Sequence, residues 1–202
     1  MEKNENVKDT IQTNIERLEL YDKSYPLSIS LRRENFVDTK EYTTFVKNCE
    51  RLVRSSYEYR QWKKYLIDVL GLTDCVITGE SVDECTIEVH HHIPSLFTMC
   101  KAVTNKFIDN KQEFSSLDVT LEILTLHYTN YVGYCLLLKS MHEKFHNGFL
   151  QIPIDLVNGN YKKFLSDYEK YIDKEDMENI QKRLNTNVSN CLWSKDNYKI
   201  AI

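Results

Sequence analysis

All six histidines of the 202-residue chain lie between positions 90 and 146, and two spacings among them suit metal chemistry. His142 and His146 stand at i and i+4, which on a helix puts both imidazoles on one face. His90 and His91 are neighbours in the run Glu88-Val89-His90-His91-His92-Ile93-Pro94, and on a strand neighbouring side chains leave by opposite faces. One imidazole from that strand, added to the helix pair, makes three neutral nitrogen ligands for one divalent ion, Zn2+ or Mg2+. Such a set leaves a coordination position open for water or substrate. The other strand histidine is then free for proton transfer, because imidazole titrates near neutral pH. A histidine taken singly is more often packed or surface-exposed than ligating, so the weight rests on the ordered set of strand, strand and helix. His92 and His127 have no partner by spacing and are read as structural.

The elements that must position these residues read as an α+β fold, mostly α-helical. Only 5 glycines and 3 prolines are too few turn residues for a many-stranded sandwich or barrel. Residues 1–73 form an N-terminal helical segment: a short amphipathic helix over 7–20, an extended arm around Pro26, then one long helix capped by Asp38 and stopped by Gly71. That helix carries Arg51, Arg54, Arg60, Lys63 and Lys64, either a solvated face or one that tracks phosphates. Residues 74–150 form the candidate core. In it CVITG and CTIEVHH read as a hairpin, 95–110 and 117–130 as inserted helices, VGYCLLL as a strand, and KSMHEKFH as a short helix ended by Asn147-Gly148. Residues 151–202 form a C-terminal helical segment.

Charge and cysteine usage narrow the function classes. The net charge is −4, and residues 71–150 hold 5 basic against 10 acidic residues, which repels phosphate unless a bound cation offsets it. The six cysteines form no CxxC pair and read as reduced, buried thiols. No apolar run approaches the roughly 20 residues of a membrane span, and the N-terminus reads as neither signal nor transit peptide. A cytoplasmic protein without a membrane partner is expected. The Lys-, Asn-, Ile- and Tyr-rich composition suits an AT-rich genome such as that of a phage.

Glu88-Val89-His90-His91 with Pro94, followed later by His142-Glu143-Lys144-Phe145-His146-Asn147-Gly148, resembles the HNH, or ββα-metal, endonucleases, in particular their histidine-rich branch typified by the colicin DNases. The likeness covers roughly residues 74–150. It implies a hydrolase acting on phosphodiester bonds of double-stranded DNA with one divalent metal ion. It further implies His90, His142 and His146 as ligands, His91 as general base on the attacking water, and Glu88 as a supporting carboxylate. The basic face would then hold the nucleic-acid backbone. Where that family carries an asparagine at the start of the second strand this chain has Gly133, with Asn130 three residues earlier. A catalytically inactive DNA- or protein-binding module of the same fold is therefore the alternative; if the wild type does not nick DNA, Gly133→Asn is the informative follow-up, since restored cleavage would identify the missing asparagine as the cause. His142 to His146 also satisfies HExxH, which in a zinc metalloprotease would make Glu143 the base and Glu169 the candidate third ligand.

Overall fold

The computed structural model describes residues 30–83 and 85–187, so the stretch at 7–20 and most of the arm around Pro26 lie outside the described residues. The described residues from 31 onward belong to one compact unit. This unit is mostly helical with a two-stranded antiparallel sheet, as the composition implies.

Helix α1 (Thr39–Ser55) starts as expected, with the Asp38 carboxylate accepting from the Glu41 amide. The single helix expected over 39–70 is instead two: α1 ends at Ser55, and α2 runs Tyr57–Asp68. Ser56 is extended (ψ 153°), and its hydroxyl caps α2 by accepting from the Tyr59 amide. The break has a packing cause. The buried stripe Val46, Cys49, Val53 would continue at 57 and 60, whereas the next buried side chains are Tyr59, Trp62 and Leu66. Restarting the helix at Ser56 turns that second stripe inward.

Strand β1 (Ile87–Ile93) pairs not with the preceding CVITG segment but with β2 (Gly133–Leu138), antiparallel, with His90 opposite Cys135 and His91 opposite Tyr134. The expected hairpin of CVITG and CTIEVHH is therefore corrected: residues 74–83 fold as tight turns tied by an isolated Asp74–Ser81 bridge, and Val76 N–H donates to the Leu136 carbonyl. The turn sequence ESVDE is flanked by runs too short to beat β2, whose side chains are buried on both faces. Between the two strands lie α3 (Leu96–Asp109) and α4 (Ser116–Tyr128), each begun by a serine cap. They are no peripheral insertion, because Met99, Val103, Val119 and Ile123 share one core with Val46, Val53, Trp62 and Leu66.

Directly after β2 comes α5 (Lys139–His146), ended at Asn147 and at Gly148, whose φ of +76° favours glycine. It packs with β2 through a second cluster containing Cys75, Cys135, Leu137, Met141 and Ile152. The C-terminal segment adds α6 (Tyr161–Tyr168) and α7 (Lys174–Leu184).

Gly133 opens β2 where the chain passes closest to Ile93. A Cβ there would press into the Ile93 carbonyl oxygen and stand 2.9 Å from the Tyr161 Cβ. An asparagine side chain has no room there, so Gly133→Asn is not a clean test of the missing asparagine. Gly133→Ala or Gly133→Asn should instead destabilise the protein by about 1–3 kcal/mol, the usual cost of overpacking. Urea unfolding would read this as a lowered midpoint at unchanged slope; a neutral substitution would contradict the close packing.

Candidate metal centre

Period-two alternation along β1 decides which histidine meets which helix. Glu88, His90 and His92 leave by one face and Val89 and His91 by the other. Cys135, the partner of His90, lies in the cluster packed with α5, so His90 faces that helix. Its ring centroid is 4.9 Å from that of His142, 5.7 Å from that of His146 and 4.5 Å from the Phe145 ring. One ligand nitrogen from each of His90, His142 and His146 lies within 4.8 Å of the other two.

Protonation follows from the partners. The Glu88 carboxylate oxygen lies 2.6 Å from His142 Nδ1, which donates to it, so Nε2 is the His142 nitrogen turned towards the cluster. That nitrogen meets His146 Nε2 at 2.9 Å. His90 Nε2 is buried with no hydrogen-bond partner. Burial and neighbouring histidines push the His90 pKa down to about 2, and the same causes lower that of His146. Neutral imidazoles, an orphaned nitrogen and a carboxylate behind one of them fit a divalent ion. Around a tetrahedral zinc with bonds of about 2.0–2.1 Å, ligand nitrogens stand about 3.3 Å apart, which small side-chain rotations reach from here.

His91 lies on the opposite face, in an aromatic core. Its ring stacks against Tyr59 and Trp62, with centroids 6.0 Å from each, and is almost wholly buried. His91 Nε2 is 2.8 Å from His127 Nε2, and His127 Nδ1 is 2.6 Å from the Ile123 carbonyl oxygen. The carbonyl requires the proton on His127 Nδ1, so His91 Nε2 donates to His127 and His91 Nδ1 keeps a lone pair without a protein partner. Burial holds His91 neutral, with His127 adding to the effect.

A cavity of about 470 Å³ joins the three clustered histidines to Glu50, Arg54, His91, Phe145 and Arg183. A neighbouring groove of about 430 Å³ is bordered by Arg54, Lys63 and Lys64 together with Glu88 and His142. Three of the five basic residues singled out from sequence thus stand beside the cluster. Arg51 and Arg60 border neither space, and Arg60 donates to the Ser55 carbonyl at 3.0 Å.

Sequence reasoning missed Glu50, Arg183 and the His91–His127 pair. Glu50 had a signal in its i,i+4 spacing to Arg54, which it binds at 2.9 and 3.1 Å. Arg183 comes from α7, with no spacing to tie it to the histidines. For the HExxH reading, the third imidazole beside His142 and His146 is His90, while Glu169 begins a 3-10 turn, Glu169–Tyr171, and Glu143 is exposed.

One equivalent of Co2+ added to chelator-treated protein should give the visible spectrum of a nitrogen-ligated tetrahedral site. His146→Ala should abolish it, and Glu88→Gln should weaken binding about 10–100-fold. Equal cobalt spectra in all three proteins would remove the site. The metal-free protein should also be acid-sensitive. Below pH ~6.5 the unfolded chain protonates its histidines while the folded chain does not, because burial lowers His90, His92 and His127 to about 2, 3 and 4. Stability is then complete above that pH and falls as pH drops towards the folded values, by at most about 1.4 kcal/mol per histidine per pH unit. A melting temperature unchanged between pH 7 and 5 would contradict the burial of neutral rings.

Among the described residues no helix is long and apolar enough to cross a membrane. No curated protein and no solved structure matches the chain. A family model described as Bacteriophage G278-like virion protein matches residues 1–198, nearly the whole sequence, and the chain therefore belongs to that family of phage virion proteins.

Proposed function

We propose that this virion protein is a metal-dependent endonuclease of the HNH, or ββα-metal, kind that hydrolyses phosphodiester bonds of double-stranded DNA. The observation that supports this most is the convergence of His90, His142 and His146 where an antiparallel strand pair meets the helix that follows it, with Glu88 behind His142. A divalent ion held there, zinc or magnesium, would polarise the phosphate and offset charge on the leaving oxygen. Glu88 fixes the His142 tautomer and ring orientation. His91 takes the proton of the attacking water on Nδ1, the nitrogen that its bond to His127 leaves unprotonated. The ring is sealed from bulk solvent, so the water it serves is one held in the cavity. Arg54, Lys63 and Lys64 line the groove beside Glu88 and His142 and carry the DNA backbone. Such an enzyme would meet its substrate in the host cytoplasm.

The alternative, a binding module that keeps the fold without turnover, draws on the burial of His91 and on Gly133 at the asparagine position. Nicking of supercoiled plasmid separates the two. Chelator-treated protein should be inactive and should recover with Mg2+, Mn2+, Ni2+ or Zn2+. His91→Ala should abolish nicking while keeping its metal. Absence of nicking with every metal would leave the binding module. In duplex-binding titrations, reversing Arg54, Lys63 and Lys64 to glutamate should flatten the slope of log affinity against log salt by about 2 to 3. An unchanged slope would make that face merely solvated.

A further inference from the structure

We infer that Arg183, from the C-terminal helix α7, is the anchor for one phosphodiester oxyanion in the histidine-lined cavity. This rests on the phosphodiester reading for the identity of the anion, but the site itself stands on its own geometry. Arg183 borders the cavity, with its guanidinium carbon 5.4 Å from the Phe145 ring centroid, between His142 and His146 in the sequence. Its Nη1 donates to the His92 carbonyl at 2.6 Å, which ties the head group to the backbone of β1. One donor is used in this way out of the five that a guanidinium offers.

Among the described residues no carboxylate pairs with Arg183. Asp176, the acid that favours its charged form, is committed to Lys101 Nζ at 2.9 Å and to the Thr98 hydroxyl. Arg54, on the same cavity, has by contrast a carboxylate partner in Glu50, at 2.9 and 3.1 Å. A partly buried cation without a carboxylate is unfavourable until an anion arrives. The planar fork suits two oxygens of one phosphate, which a lysine could not grip in the same way. Arg183 is also close enough for its charge to depress the pKa values of His90, His92 and His146. The C-terminal segment thus supplies a substrate-binding group to a site otherwise built from the strand pair and α5.

The test uses the full chain stripped of metal, so that binding is read without turnover. Inorganic phosphate and thymidylyl-(3′→5′)-thymidine are titrated in separate arms and followed by phosphorus NMR. Wild type should bind the diester, and Arg183→Gln should weaken this about tenfold or more, the scale of a lost charged hydrogen bond. Arg183→Lys should fall between them, and all three should take up Co2+ alike. Equal diester affinity in wild type and Arg183→Gln would overturn the inference, as would binding of inorganic phosphate with rejection of the diester. Should Arg183→Gln fail to fold, Arg183→Lys carries the test, and wild-type affinity in that variant overturns it. If the stripped protein holds the diester through Arg183 but never nicks DNA with any metal, the hydrolase reading fails and this inference stands. If it nicks DNA while Arg183→Gln binds the diester normally, only this inference fails.

Discussion

The site depends on one constraint, the alternation of side chains along β1 once its backbone is fixed against β2. With His90 opposite Cys135, Glu88, His90 and His92 face α5, while Val89 and His91 face the core shared with α2 and α4. A slip of one residue would exchange every role: Val89 and His91 would face His142, and Glu88 and His90 would be driven into the aromatic core. Several features hold the register. The side chains of β2 are buried on both faces. The start of β2 is pinned by the close approach of Gly133 to Ile93, and Tyr134 and Asn158 exchange backbone hydrogen bonds.

Electrostatics then determine what the pocket can accept. Buried imidazoles are kept neutral here, since a charged ring in that interior would need a partner that the core does not provide. Neutral rings are the ligating form. The segment that carries them is nonetheless acidic, with 5 basic against 10 acidic residues over 71–150. Positive charge comes from outside it: Arg54, Lys63 and Lys64 on α1 and α2, and Arg183 on α7. The flanking helices therefore complete the site electrostatically as well as sharing its hydrophobic core.

Much of this was legible in the sequence. The short helix with its two histidines, the cap at Asp38, the strand VGYCLLL and the helices between the strands all follow from local periodicity and capping. Local pattern failed where two neighbours competed for one partner. CVITG and VGYCLLL both suit β1, and burial on both faces favoured the distant run over the adjacent one. The helix break at Ser56 was visible as a phase shift between Val53 and Tyr59, but a reading that followed apolar residues alone passed over it. His127 and Arg183 were illegible for a different reason. Their partners, His91 and the His92 carbonyl, lie 36 and 91 residues away, and no spacing rule reaches that far.

The most direct test of the account is the X-ray absorption fine structure of the zinc-loaded protein. The account predicts one zinc per chain with a first shell of light atoms only, at about 2.0–2.1 Å, and the multiple-scattering pattern of three imidazoles. A sulfur shell at about 2.3 Å would assign the metal to the cysteines, and a shell of oxygens without imidazole scattering would assign it to surface carboxylates. Either result would contradict a centre built on His90, His142 and His146.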